Sequence, residues 1–197
     1  MDKGDNMIEL TTRIPYEPGK MLGYAYKKEM ETVKDWCLFV VHDVFLSLNP
    51  FWNDICRNAI EQVGHTAGLI TCYTNAIGCP LQKIPTVPSL KDDMNYHFAL
   101  AEKVYSRNKG QVIDITDEAK KWKLSGMFIL THKEAFQKVL SLYDLPDNKF
   151  LGFDNYYGDR LRECGYRLYR MNDLYVYHGY KRLWKNGTWG TGMVGNG

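Results

Sequence analysis

The chain has 197 residues, 45% of them apolar, and a formal charge of +2 from 25 basic and 23 acidic side chains. That size and apolar content suit one domain with a substantial core, and Lys and Arg scattered along the chain exclude nucleic acid or an acidic membrane surface as the main expected partner. No stretch reaches the roughly 20 apolar residues of a membrane helix, and the cysteines, odd in number and without a Cys-x-x-Cys pair, read as reduced buried thiols of a cytoplasmic protein.

The segment "MIELTTRIPY" (7–16) is rich in β-branched residues and ends at a proline, so it predicts a first strand running into a turn at "EPGK". In "KMLGYAYKKEMETV" the residues Leu22, Ala25, Tyr26, Met30 and Val33 recur every three or four positions, the pattern of an amphipathic helix. "WCLFVV" (36–41) is continuously apolar, as expected of a strand covered on both faces, and this puts His42 and Asp43 at its carboxyl end. Asn49 and Pro50 predict the cap and first residue of a helix that closes at Gly64, and "AGLITCY" (67–73) a further strand.

Residues 74–95 contain three prolines and no periodicity, which predicts a long loop of the kind that is commonly functional. A helix over "YHFALAEKVYSRN", a short strand at "QVIDIT" and a strand over "LSGMFIL" (124–130) follow, then a helix whose expected capping box is Thr131 with Glu134. Asp154 is the candidate cap of a helix running through Cys164 to Gly165. In "DLYVYHGY" (173–180), Leu174, Val176 and His178 share one strand face and Tyr175 and Tyr177 the other. The expected organisation is a single α/β domain over 1–183 and a flexible glycine-rich tail over 184–197.

The order of "FVVHDVF", "SGMFIL" and "GFDNYYGDRLRECGYRLY" followed by "VYHGY", with "IPY" and "LGYAY" upstream, resembles the family 2 glycosyltransferases of GT-A fold. The resemblance implies a mixed central sheet flanked by helices and transfer of a sugar from a nucleotide-sugar donor to a glycan or other hydroxyl acceptor. It also implies inversion and a divalent metal, Mn²⁺ or Mg²⁺. Asp43 matches the second Asp of the family's Asp-x-Asp motif, and His178 a late histidine that adds a metal ligand in related members. Pro15, Tyr16, Lys20 and Asp43 would form the donor side, Ser125 and Gly126 the acceptor side, and Asp154, from a Gly-Glu-Asp-like turn, the catalytic base. Three positions depart from the pattern: Val41 stands in place of the first Asp, Phe153 in place of the Glu, and Lys27 in place of an Asn.

The chemistry asks for such groups. A metal held by a carboxylate and an imidazole offsets charge developing on a diphosphate leaving group, and a carboxylate across the anomeric carbon deprotonates the acceptor hydroxyl. Taken without the resemblance, Asp154 is an N-cap, His178 a hydrogen-bonded core histidine and Asp43 a turn carboxylate, and the missing motif residues suit an inactive module that binds nucleotide or glycan.

Overall fold

A computed structural model describes residues 8–17, 21–89, 91–145, 147 and 152–179, with the backbone alone of 184–185 and 188–189. Its strands are β1 (Leu10–Arg13), β2 (Trp36–Val40), β3 (Val44–Phe45), β4 (Ala67–Thr74), β5 (Val112–Asp114), β6 (Phe128–His132), β7 (Arg167–His178), β8 (Trp184–Lys185) and β9 (Thr188–Trp189). The helices are α1 (Leu22–Glu31), α2 (Trp52–Val63), α3 (Met94–Asn108), α4 (Glu118–Lys121), α5 (Lys133–Leu142) and α6 (Phe153–Glu163).

The uninterrupted apolar run of β2 is explained by its place between two helix layers. Cys37 and Phe39 pack with Tyr26 and Met30 of α1, Phe136 of α5 and Tyr157 of α6. Trp36, Leu38 and Val40 face the other way, against Ile55, Cys56 and Ile60 of α2. Successive strand side chains point to opposite faces, so both sets must be apolar when both faces are covered. A third cluster joins Ala101 and Val104 of α3 to Tyr175 and Tyr177 of β7, while Leu174 and Val176 of β7 lie in the α2 layer. The expected alternation in that strand is therefore present.

The sheet is open and mixed, with helices on both faces. Its order is β1-β2-β6-β4-β7-β3, with β5 paired to the earlier part of β7. β1 runs parallel to β2 and β4 parallel to β7, while β6 lies antiparallel between β2 and β4. Four strands, β1, β2, β4 and β7, thus deliver their carboxyl ends to one edge, and β6 begins there. Ligands of open α/β sheets collect at such an edge.

Several local expectations shift. Residues 124–127 precede β6 instead of opening it, because Ser125 is held by a side chain from the loop rather than by a neighbouring strand. The cap of α5 is His132, whose Nδ1 accepts from the Ala135 N–H at 3.2 Å. Thr131 is instead buried in β6, where its hydroxyl donates to the Gly68 carbonyl and pairs with the Tyr157 hydroxyl. The side chain of Asn49 accepts from the Phe51 N–H, and α2 begins two residues later than Pro50. Gly64 and Gly165 do end their helices, with φ of 56° and 87°, values that favour glycine. All five cysteines are free thiols, four of them buried. In the tail, β8 pairs antiparallel with β9.

Candidate functional site

The carboxyl edge gathers most of the residues singled out by sequence. β1 is in register with β2 up to Arg13 opposite Phe39, so Pro15 and Tyr16 emerge beside Val41 and His42. The Val41 N–H bonds to the Met127 carbonyl, which brings Ser125 and Gly126 to the same edge. Val44 pairs with His178 across β3 and β7, and the Gly179 N–H donates to the Asp43 carbonyl. Lys20 lies outside the described residues. Lys27 turns away toward the Leu145 carbonyl and Asp147.

Asp43 and His178 face each other, with Oδ1 and Nε2 3.4 Å apart. His178 Nδ1 lies 2.7 Å from the Ala76 carbonyl oxygen, which only accepts, so Nδ1 carries a ring proton and Nε2 is the nitrogen that faces the carboxylate. Nε2 donates to the carboxylate when the ring is charged, and in the neutral ring it can share a cation with Asp43. Two ligands about 2.1 Å from one ion at a right angle are about 3 Å apart, so the pair fits neighbouring positions around a divalent metal. Burial pushes the Asp43 carboxyl up, but the hydrogen bond and charge of His178, with the charge of His42, outweigh it and hold the group below its ordinary value. His42, which sequence reading left without a role, thus contributes to the field at Asp43.

Asp154 lies in the first turn of α6, where Gly152 occupies the cap position. Its Oδ2 accepts from the Gly126 N–H at 2.6 Å and its Oδ1 from the Asn155 N–H at 2.9 Å. The carboxylate therefore ties α6 to the turn before β6. That contact requires glycine, since a Cβ on Gly126 would come 2.9 Å from Asp154 Cβ. The Tyr26 hydroxyl donates to the Gly126 carbonyl on the other side, and its ring stacks on Phe153 with centroids 4.4 Å apart.

Two buried side-chain amides that sequence reasoning missed hold this edge together. Asn75 Oδ1 accepts from the His178 N–H at 2.8 Å, and its Nδ2 donates to the His178 carbonyl at 3.2 Å. Gln82 Oε1 accepts from the Ser125 N–H at 2.7 Å, and its Nε2 donates to the Ser125 carbonyl at 2.9 Å and to Thr71 Oγ1 at 2.8 Å. Each amide pairs with a peptide unit as a neighbouring strand would. The available signal was two polar amides inside a proline-rich segment, with partners far away in sequence.

At the opposite edge, His65, His132 and Glu134 bring one donor atom each within 4.8 Å of one another. The two imidazoles are stacked, with centroids 4.4 Å apart and planes 15° from parallel. Nitrogen lone pairs lie in the ring planes, so these rings as oriented cannot both point at one ion. Compared with known proteins, the chain matches no family model, no curated protein and no solved structure.

Proposed function

We propose that the chain is a glycosyltransferase that moves a sugar from a nucleotide-sugar donor to a hydroxyl of a glycan or similar acceptor, with inversion and dependence on Mn²⁺ or Mg²⁺. The GT-A-like reading of the domain belongs to the same proposal. The observation that carries it is the meeting of Asp43, His178, Ser125, Gly126 and Asp154 at one carboxyl edge of the sheet. Asp43 and His178 would hold the metal, whose chemistry is to offset negative charge on the departing diphosphate. Pro15 and Tyr16 border the donor, with Lys20 assigned to it by sequence alone. Asp154 is the base: its two N–H donors fix the carboxylate, and each oxygen keeps a further lone pair for the acceptor proton.

One observation favours a second reading, a module that binds nucleotide or glycan without turnover. Phe153 is 2% exposed and stacked on Tyr26, and Val41 packs against the α2 layer, so both lost motif positions now serve the core. A thermal-shift panel of nucleotide diphosphates and sugar nucleotides, with and without Mn²⁺, tests both. A ligand at about 100 times its Kd adds ~2.7 kcal/mol of stability. Transfer or donor hydrolysis that falls roughly 10²- to 10⁴-fold in Asp154→Asn supports the enzyme. Mn²⁺-dependent binding without either reaction supports the module, and no shift with any nucleotide refutes both.

A further inference from the structure

Away from that edge, a cavity of about 340 Å³ opens between α2 and the end of α3, with Ile55, Glu61, Tyr105, Lys109 and Gly110 around it and Asp173 of β7 at its lining. Asp173 reaches this place through an irregularity in its strand. The pairing of β7 with β4 jumps from Cys72 opposite Met171 to Tyr73 opposite Tyr175, so residues 172–174 leave the ladder. Bulges of this kind redirect a side chain.

Asp173 is 4% exposed. Its Oδ2 accepts from the Gly110 N–H at 2.7 Å, but its buried Oδ1 has no hydrogen-bond partner. A carboxylate in that position costs stability, and burial pushes its pKa up. The turn at Gly110 needs one oxygen only, so holding that turn does not account for the second. Lys109 does not neutralise Asp173; its Nζ lies over the Tyr105 ring, 5.7 Å from the centroid.

We infer that this cavity is a binding site for a compact organic cation, an alkylammonium or alkylguanidinium group, that pairs with Asp173 beneath Ile55 and Tyr105. The cavity is roughly ten times the ~30 Å³ share of one water, more room than a bare metal ion requires. Ile55 and the Tyr105 ring supply apolar walls for an alkyl stem, and the side-chain amides of Asn58 and Gln62, also in the lining, can accept from a many-donor head group such as guanidinium. Glu61 adds a second negative charge at the rim. The site is separate from the carboxyl edge, since Asp173 precedes His178 by five residues on the same strand, a span of about 15 Å.

Isothermal titration with n-butylguanidinium, its neutral isostere n-butylurea and a blocked tripeptide with a central arginine tests the assignment. The guanidinium probes should bind about 10- to 100-fold more tightly than the urea, the size of one charge-assisted hydrogen bond at a buried site. Asp173→Asn keeps an oxygen for the Gly110 N–H while removing the charge, and should abolish that preference. Glu61→Gln, on an exposed helix face, should weaken it several-fold and serves if the first variant does not fold. Tighter binding of the tripeptide would identify a basic side chain of a partner as the source of the cation, and tighter binding of butylguanidinium a small molecule. Equal affinity for the urea, no binding by either cation, or an undiminished preference in Asp173→Asn would overturn the proposal.

Discussion

His132 should make the fold sensitive to mild acid, and the size of the effect follows from its surroundings. The ring is fully buried between Trp36, His65 and Tyr166, and it caps α5 through Nδ1. Burial first, and the charge of His65 second, lower its pKa from 6.5 to about 4. Unfolding releases the ring to take a proton, so between these two values the unfolded state binds more protons and stability falls as pH falls. The contribution is complete above pH 6.5; linkage gives a loss of roughly 2 kcal/mol by about pH 5 and about 3 kcal/mol near pH 4. Urea denaturation of the wild type and His132→Asn, from about pH 7.5 to 4.5, isolates the group, because other titrations occur in both proteins. Asn retains an oxygen to accept from Ala135 and has no proton to gain. The wild type should lose stability relative to the variant by that amount; parallel curves, or a gap that moves the other way, would refute the reasoning.

Other consequences concern the carboxyl edge. Gln82→Leu leaves the half-buried N–H and carbonyl of Ser125 without their partner and should cost about 2 kcal/mol, read as a lower urea midpoint with an unchanged slope. Gly126→Ala forces Asp154 away and should cost about 1–3 kcal/mol in chemical denaturation. Tyr26→Phe removes only the bond to the Gly126 carbonyl, a loss of about 1 kcal/mol by the same measurement. Phe153→Glu, which would complete a Gly-Glu-Asp-like turn, should instead destabilise by about 3–5 kcal/mol in thermal or urea melts, because that position is packed against Tyr26 and Phe136.

Elements whose cause is local were legible from sequence. The run 36–40 and the alternation at 174–178 report burial on the faces to which those side chains point, and Gly64 and Gly165 mark helix ends through their φ angles. The carboxyl edge was legible because the apolar run of β2 stops just before Asp43 and the alternation of β7 runs out at His178. What sequence did not disclose is set by partners far along the chain. Asn75 and Gln82 look like loop residues until their contacts with His178 and Ser125 are known. His132 takes the capping role expected of Thr131 because β6 draws the threonine hydroxyl inward to Gly68 and Tyr157. The exposed strand-end residue His42 gave no hint of its influence on Asp43, which arises from proximity in space.

The two amide clamps make one short segment the shared support of both halves of the edge. Asn75 and Gln82 stand close together in the chain, yet one fixes His178 and the other the turn that carries Gly126 and Asp154. An opening of residues 75–82 would release both at once, so His178 and the Gly126–Asp154 contact are coupled in a single cooperative unit. The amide protons of Ser125 and His178, distant in sequence and in different elements, should then exchange with solvent through a common opening event.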